Sequence, residues 1–217
     1  LTPTAERSMS EVTVMGDTGS KWIPTHSADK LGWEGLFDDG AAGSDVILAA
    51  MRSATSKQVL SVFPGDTVVG NQGFASDEAF ITGYDLPATV GSIVTATGEF
   101  EAGLYDRVRS LGPLAATTAT ANGTSIDDGA ATSAGGAWTY HVTAFSASGG
   151  NARWQLVLQD SANDSSFATV GSESVNITAV GAARSSFAGA FRRYVRIRAV
   201  LDASSGSLTY IAMYTRG

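Results

Sequence analysis

The sequence predicts a mainly β protein: a first β-sandwich or barrel domain with one short α-helix, then a C-terminal jelly-roll-like β-sandwich. Three observations support this prediction. Only one segment combines a helix-capping residue with a run of helix-forming residues. Most of the remaining chain alternates apolar and polar residues between turn signals, which is typical of strands. The composition, with 25 glycines in 217 residues and abundant Thr, Ser and Ala, fits many short strands and turns.

The helix is predicted at about residues 45–54, inside the stretch 32–63. Ser44 can act as its N-cap, and Asp45 is favourable at the positive end of the helix dipole. Good helix formers continue to Met51, and Arg52 lies near the negative end. Since a helix of about ten residues is marginal alone in water, we expect it to pack against a sheet.

In the first half, strands are predicted between polar and glycine-rich segments. Residues 1–10 are polar and are interpreted as an arm or loop, and residues 65–76 as a long polar loop. Both are candidates for contacts between stacked copies, because long polar arms often order on assembly. The predicted strands are 11–15, 21–24, 31–37, 59–63, 79–86 and 92–101.

The strand at 92–101 has two different faces. Val94, Ala96 and Phe100 alternate on one face, which we expect to be core. The other face is mostly small, polar and acidic, and comprises Ile93, Thr95, Thr97, Glu99 and Glu101. The strand is therefore predicted to separate a core from an acidic surface.

The second half alternates more regularly. Segment 111–136 has few bulky residues and is interpreted as a linker that merges into a second domain, so the predicted domains span residues 1–112 and 113–217. From Ala137 onward, Trp138, Tyr140 and Val142 share one face. Further strands are predicted near 154–158 and at 167–170, 173–178, 194–201 and 208–214. Strands at this spacing form sandwiches of about 100 residues.

Charge is distributed unevenly between the two halves. Residues 1–112 have a net charge of −8, whereas residues 113–217 have a net charge of +1. An acidic first half argues against nucleic-acid binding there, because phosphate contacts need clustered Lys or Arg. The chain has no cysteine and no apolar run of about 20 residues, so we expect no disulfide, thiolate metal site or membrane insertion. It also begins without Met, so we expect processing or a missing N-terminal piece.

The sequence predicts no catalytic, cofactor or metal site. His26 and His141 are the only histidines, and neither lies in a recognisable triad motif. Glycine-rich segment 65–73 lacks the Lys-Ser/Thr of a phosphate-binding loop. The acidic pairs at 38–39 and 127–128 do not have the spacing of a calcium-binding loop, and we interpret them as loop or turn residues. An enzyme is therefore not expected.

Two groups in the second half allow more than one interpretation. The basic cluster comprises Arg192, Arg193, Arg196 and Arg198. It could dock on acidic neighbours or on anionic cell-surface polymers, or it could simply protect an exposed edge strand. The aromatic group could form a sugar-binding platform, but its alternation favours core packing. That group comprises Trp138, Tyr140, Trp154, Tyr210 and Tyr214.

The first half contains, in order, a predicted strand, GWEG and FDD, a short helix, a strand, and a sheet ending in TATGEFEAG. This order resembles the major tail (tail tube) proteins of long-tailed bacteriophages, and the likeness covers most of the chain. In the second half, AWTYHVTAFSASGG and RRYVRIRAVLDASSGSLTYIAMYTRG are similar to the sandwich domain appended to many such proteins. The strand region that usually opens the family is missing or shortened here.

The resemblance implies a structural virion protein that forms stacked rings, usually six-fold, around a DNA channel. The helix would lie outside an inner barrel, and the appended domain would decorate the outer surface, where it could contact host glycans. The implied partners are further copies, other tail proteins and genomic DNA in transit without specific binding. Assembly would take place in the host bacterial cytoplasm.

The acidic strand face connects the residues to this implied function. A negative lining repels phosphate groups, so a face with Thr95, Thr97, Glu99 and Glu101 suits a DNA conduit, and we hypothesise that it faces the lumen. An ordinary solvated strand face would look the same in sequence. Two other classes remain open: a capsid decoration or head-fibre protein, which would form trimers, and a monomeric carbohydrate-binding module.

Overall fold

The computed structural model describes residues 2–11, 22–36, 56–65, 67–85, 95–102, 105–112, 114–149 and 152–217. These ranges contain fifteen strands and no helix, which confirms the prediction of a mainly β fold. The predicted helix at 45–54 lies outside the described residues. Within them, no helix is long and apolar enough to cross a membrane.

The chain forms two compact units. The first unit comprises Leu1–Leu60 and Ser76–Tyr105, and the second comprises Ser61–Ala75 and Asp106–Gly217. Segments 61–75 and 106–112, which we assigned to the first domain, therefore belong to the second unit. A domain boundary at residue 112 stays a prediction.

The first unit is an antiparallel sheet with the order β1-β2-β5-β4. β3 also pairs with β4, whose first four residues belong to the second unit. The strands are β1 (Thr2–Glu11), β2 (Trp22–Leu36), β3 (Gln58–Val62), β4 (Gln72–Asp85) and β5 (Thr95–Ala102).

Residues 2–11 correct the prediction of an N-terminal loop. β1 pairs with β2 from Thr2, opposite Gly32, to Glu11, opposite Trp22, with one register shift after Ser8. Its sequence lacks apolar alternation, which is the signal by which sequence reveals strands, and the strand is identified by its backbone pairing with β2. The predicted loop at 65–76 is also shorter than expected, since β4 begins at Gln72.

The second unit is a sandwich of two antiparallel sheets. One sheet runs from the start of β4 in the order β6-β15-β10-β13, with β7 paired to β15. The other has the order β12-β11-β14, with β8 and β9 both paired to β14. Ten strands lie wholly in this unit: β6 (Asp106–Ser110), β7 (Ala115–Thr117), β8 (Ala121–Asn122), β9 (Ile126–Asp127), β10 (Gly136–Ser148), β11 (Arg153–Ser161), β12 (Ala168–Ile177), β13 (Gly181–Phe187), β14 (Tyr194–Asp202) and β15 (Ser205–Arg216).

The sandwich core lies between these two sheets. Trp138 from β10 and Trp154 from β11 are 2% and 0% exposed. Leu156, Ile197 and Leu208 are buried in the same cluster. These residues follow the predicted period-two alternation, so burial of one face per strand explains the sandwich.

Segment 111–136 belongs to the sandwich rather than connecting two domains. It contributes β7, β8 and β9, and it places Leu111 and Ile126 in the core, at 1% and 4% exposure. Its low content of bulky residues suggested a linker, but two well-placed apolar side chains and short backbone pairings are enough to fix it against β14 and β15.

Candidate functional surface

The described part of the first unit's sheet, around β5, has one apolar and one acidic face. On the apolar face, Leu31 of β2 pairs with Phe100 of β5, and both are buried, at 1% and 6% exposure. Ala102 follows on the same face at 3% exposure. Thr97, Glu99 and Glu101 alternate with these residues along β5 and are all partly exposed. The expected separation of core from acidic surface is present in this strand.

The acidic face extends over the neighbouring strands. Glu99 lies between Gly32 of β2 and Gly83 of β4, so no side chain shields its flanks at those two positions. Glu101 lies between Lys30 and Phe80, and Phe80 is 38% exposed. This arrangement leaves the Glu99 carboxylate accessible from the open side of the sheet.

The remaining positions on this face follow from the register. Thr97 lies opposite Glu34 on β2 and Asp85 on β4. Thr95 lies opposite Leu36 in the register, and the description of Thr95 does not extend to its side chain. Three of the four predicted lumen-facing residues are thus partly exposed on one strand, and the fourth is placed by its backbone.

One cation partly offsets the acidic face. Lys30 Nζ lies 3.6 Å from Glu99 Oε1, and these side chains are 31% and 41% exposed. Thr82, at the bulge of β4, donates a hydrogen bond to the same carboxylate oxygen at 3.2 Å. A half-exposed ion pair of this kind contributes about 0–1 kcal/mol. With Asp85, Glu99 and Glu101 against Lys30, the face keeps a net negative charge.

In the second unit, most of the predicted docking arginines bind within the chain. Arg193 Nε and Nη2 donate to the two Asp127 carboxylate oxygens at 2.7 and 2.6 Å. Arg193 and the backbone N–H of Gly129 lower the Asp127 pKa to about 2, because both stabilise the ionised carboxylate. The same pairing raises the pKa of Arg193. Asp127 is therefore a specific ion-pair partner as well as a turn residue.

Arg192 and Arg196 are also partnered. The Arg192 backbone N–H donates to Asp160 Oδ2 at 2.8 Å. Arg196 Nε donates to Gln159 Oε1 at 2.9 Å, and its guanidinium lies 3.8 Å from the centre of the Phe167 ring. These two arginines fix local structure.

Arg198 differs from the other three arginines. It lies opposite Val157 and Asn122 and makes no hydrogen bond or ion pair with the described residues. The suggested docking role of the whole cluster therefore stays a prediction.

A partly buried carboxylate network was not predicted from the sequence. The side chain of Asp128, 9% exposed, contacts Arg109 Nη1 through one oxygen. Its other oxygen accepts a 2.7 Å hydrogen bond from Tyr214 Oη and lies 2.7 Å from Arg216 Nε. Burial, followed by the hydrogen bond to Asp128, raises the Tyr214 pKa. The only sequence signal was a cation two residues after Tyr214, which is too weak to reveal such a network.

The described residues contain no group of three or more His, Asp or Glu side chains that could hold a metal ion. His141 Nε2 lies 2.8 Å from Ser61 Oγ, and burial lowers the His141 pKa, so this imidazole is neutral at pH 7. His26 falls in β2, and its side chain is not described. The contacts around His141 define a structural hydrogen bond.

The aromatic group packs as the sequence favoured. Trp138, Trp154 and Tyr214 are buried, and Tyr140 and Tyr210 are half-buried against the same core. Core packing is thus confirmed for all five. They do not form an exposed platform for stacking on sugars.

Comparison with known proteins adds little to this geometry. No family model matches the chain, and no curated protein matches it significantly. One matching solved structure is described as SPP1 Dit (gp 19.1), a paradigm of the hub adsorption apparatus in phages that infect Gram-positive bacteria. It is 10% identical, the match covers 98% of this chain and 90% of that chain, and the TM-score is 0.29. A TM-score this low supports neither a shared fold nor a function.

Proposed function

We propose that this protein is a structural, non-enzymatic subunit of a bacteriophage tail, and that its copies stack as rings around a channel through which DNA passes. The observation that supports this most strongly is the two-faced sheet of the first unit. A tube wall needs one face that packs against its own protein and one face that tolerates a passing polyanion. The described part of this sheet, around β5, has both.

The acidic face would act by keeping DNA from adhering. Glu99 and Glu101 place two carboxylates on one strand, with Asp85 on the next strand. In a narrow channel, charges of one sign create a potential that repels phosphates, and protein walls of low dielectric strengthen it. The contact of Lys30 with Glu99, and that of Lys57 with Glu78, reduce the attraction of these two cations for phosphate. DNA would therefore slide without specific binding.

The edge of the sheet offers a way to form rings. β1 pairs with β2 and with no other strand in the part of the chain that the structure describes. Along its ten residues, no described strand covers its outer side, which could accept a strand from another copy. Because an unpaired edge is a template for strand addition, β1 is our candidate for the subunit–subunit junction. Six-fold symmetry and an outward-facing second unit are parts of the same proposal.

Charge reversal on the acidic face tests the conduit role. Virions carrying Glu101→Lys, or the double substitution Glu99→Lys and Glu101→Lys, are expected to eject DNA more slowly, and the double variant more so, because lysine attracts phosphate. The measurement is the rate of DNA release triggered in vitro from morphologically normal tails.

The matched control is Asp77→Lys, an equal change of charge at an exposed residue of β4 outside its pairing with β5. It should leave the rate of release unchanged. If the double variant ejects at the wild-type rate, the acidic face does not line the channel. If Asp77→Lys slows release equally, the effect is one of net charge and not of this face.

A further inference from the structure

The second unit contains a basic cleft that none of the contacts described above explains. The cleft has a volume of about 230 Å³ and lies over strands β6 and β15. Its polar lining comprises Gln72, Arg107, Arg109, Tyr214, Thr215 and Arg216. Three arginines therefore line one small space.

The charge in this cleft is not balanced by the described residues around it. Arg109 and Arg216 share a single carboxylate, Asp128, whose side chain is 9% exposed. Asp127 is nearby but is neutralised by its bidentate pairing with Arg193. Counting Arg107 with these groups leaves an excess of two positive charges. An excess of this size in a confined space favours an anion.

The three arginines of the cleft differ in the contacts that they make. Arg216 is immobilised, since its Nη1 donates to Ala130 O at 2.6 Å and its Nη2 contacts the carbonyl oxygens of Arg192 and Arg193. Arg109 uses Nη1 for Asp128 and directs Nε to Gly70 O at 3.4 Å. Their guanidiniums form a rigid positive wall. A preorganised wall loses little side-chain entropy when a ligand binds.

Arg107 is the cation whose donors are available. It is exposed, and it makes no hydrogen bond or ion pair with the described residues. It lies two residues before Arg109 on β6, so both side chains project from the same face of the strand. The planar guanidinium of arginine matches two oxygens of a phosphate, sulfate or carboxylate. The Arg107 side chain can thus bind an anion that the other two arginines also contact.

We propose that this cleft binds a small oxyanion, with Arg107 as the principal ligand-binding residue. Pockets for drug-sized molecules typically measure roughly 300–1,000 Å³, so a cleft of this volume suits a single phosphate, sulfate or carboxylate group. The inference rests on the second unit alone and does not depend on a role in the tail.

Thermal unfolding at low ionic strength tests the proposal. Sodium phosphate should raise the unfolding temperature of the full chain above its value in sodium chloride of the same ionic strength, because a ligand that binds only the folded state stabilises it. The same measurement is made with sodium acetate in place of sodium phosphate. A larger effect of phosphate assigns the cleft to tetrahedral oxyanions, and an equal effect assigns it to oxyanions in general.

Two variants of Arg107 test whether phosphate binds in this cleft. Arg107→Ala should weaken phosphate binding at least tenfold, measured by calorimetric titration, and Arg107→Gln should do the same with a side chain of similar length. Arg198→Ala removes an equivalent arginine without described partners from β14 and should leave binding unchanged. The proposal is overturned if phosphate acts no differently from chloride, or if it binds Arg107→Ala as tightly as the wild type.

Discussion

At the scale of single residues, one carboxylate, that of Asp128, connects strands of the second unit. Asp128 follows β9 directly, yet it joins β6 through Arg109 and β15 through Tyr214 and Arg216. The sequence shows Asp127-Asp128 before a glycine, which is a turn signal, and the turn is only part of the role. Long-range pairing of a turn carboxylate depends on register and topology, which local sequence does not encode. This is why the network could not be predicted.

The hydroxyl of Tyr214 should contribute measurably to the free energy of unfolding. Tyr214→Phe removes a hydrogen bond to the partly buried Asp128 carboxylate, which also contacts two arginines, so we expect a loss of about 1.5–3 kcal/mol. Urea unfolding at pH 7 measures it. Tyr140→Phe is the control, because the Tyr140 hydroxyl makes no hydrogen bond with the described residues, and it should change stability by less than about 0.5 kcal/mol. Equal losses in the two variants would refute a special role for Asp128.

The ion pair between Asp127 and Arg193 should be visible as a displaced titration. The Asp127 pKa falls from 3.8 to about 2 on folding, so its contribution to stability is present above pH 3.8 and is lost as the pH falls through 2. In Arg193→Ala we expect the Asp127 pKa to rise toward 3.8, although the Gly129 N–H still donates to it. Carboxyl chemical shifts followed by NMR report this, with Arg198→Ala as control. An unchanged pKa would show that Arg193 does not hold Asp127.

At the scale of elements, alternation predicted the strands well where one face is buried. β5, β10, β14 and β15 follow the expected period, because their apolar residues point into a core. β1 was missed, because backbone pairing leaves no apolar pattern. Segment 111–136 was misread, because its three short strands contain two or three residues each. Periodicity in the sequence indicates burial and not backbone hydrogen bonding. It therefore does not reveal elements that are held by backbone pairing.

The outer edge of β1 should control assembly separately from folding. Adjacent N–H groups in a strand point in opposite directions, so of Thr4 and Ala5 one faces β2 and the other faces the free edge. Proline removes the N–H at its own position. One of Thr4→Pro and Ala5→Pro should lower the thermal stability of the subunit. The other should leave stability nearly unchanged and block assembly.

Light scattering for assembled mass and calorimetry for stability measure the two effects in the same samples. Thr4→Ala and Ala5→Ser keep the N–H groups and should assemble normally. If both proline variants assemble like the wild type, the β1 edge is not the junction between copies.

At the scale of the whole molecule, the charge imbalance seen in the sequence corresponds to real surfaces. The net −8 of residues 1–112 is concentrated outside the second unit, since Arg107 and Arg109 belong to that unit. The acidic sheet face lies in the first unit, and the basic cleft lies in the second. The surface predicted at Glu99 and Glu101 could be found from sequence, because it lies within a single strand. The cleft could not, because it brings together β6 and β15, which are about a hundred residues apart.

The measurement that tests the central proposal most directly is a cryo-electron microscopy reconstruction of the assembled protein. We predict stacked rings in which the backbone of β1 pairs with a strand of the neighbouring copy, with Thr97, Glu99 and Glu101 facing a central channel. Trimers without a channel would indicate a capsid decoration protein, and single particles would indicate a binding module. Either of these, or rings whose subunits keep their sheets entirely separate, would contradict the proposal.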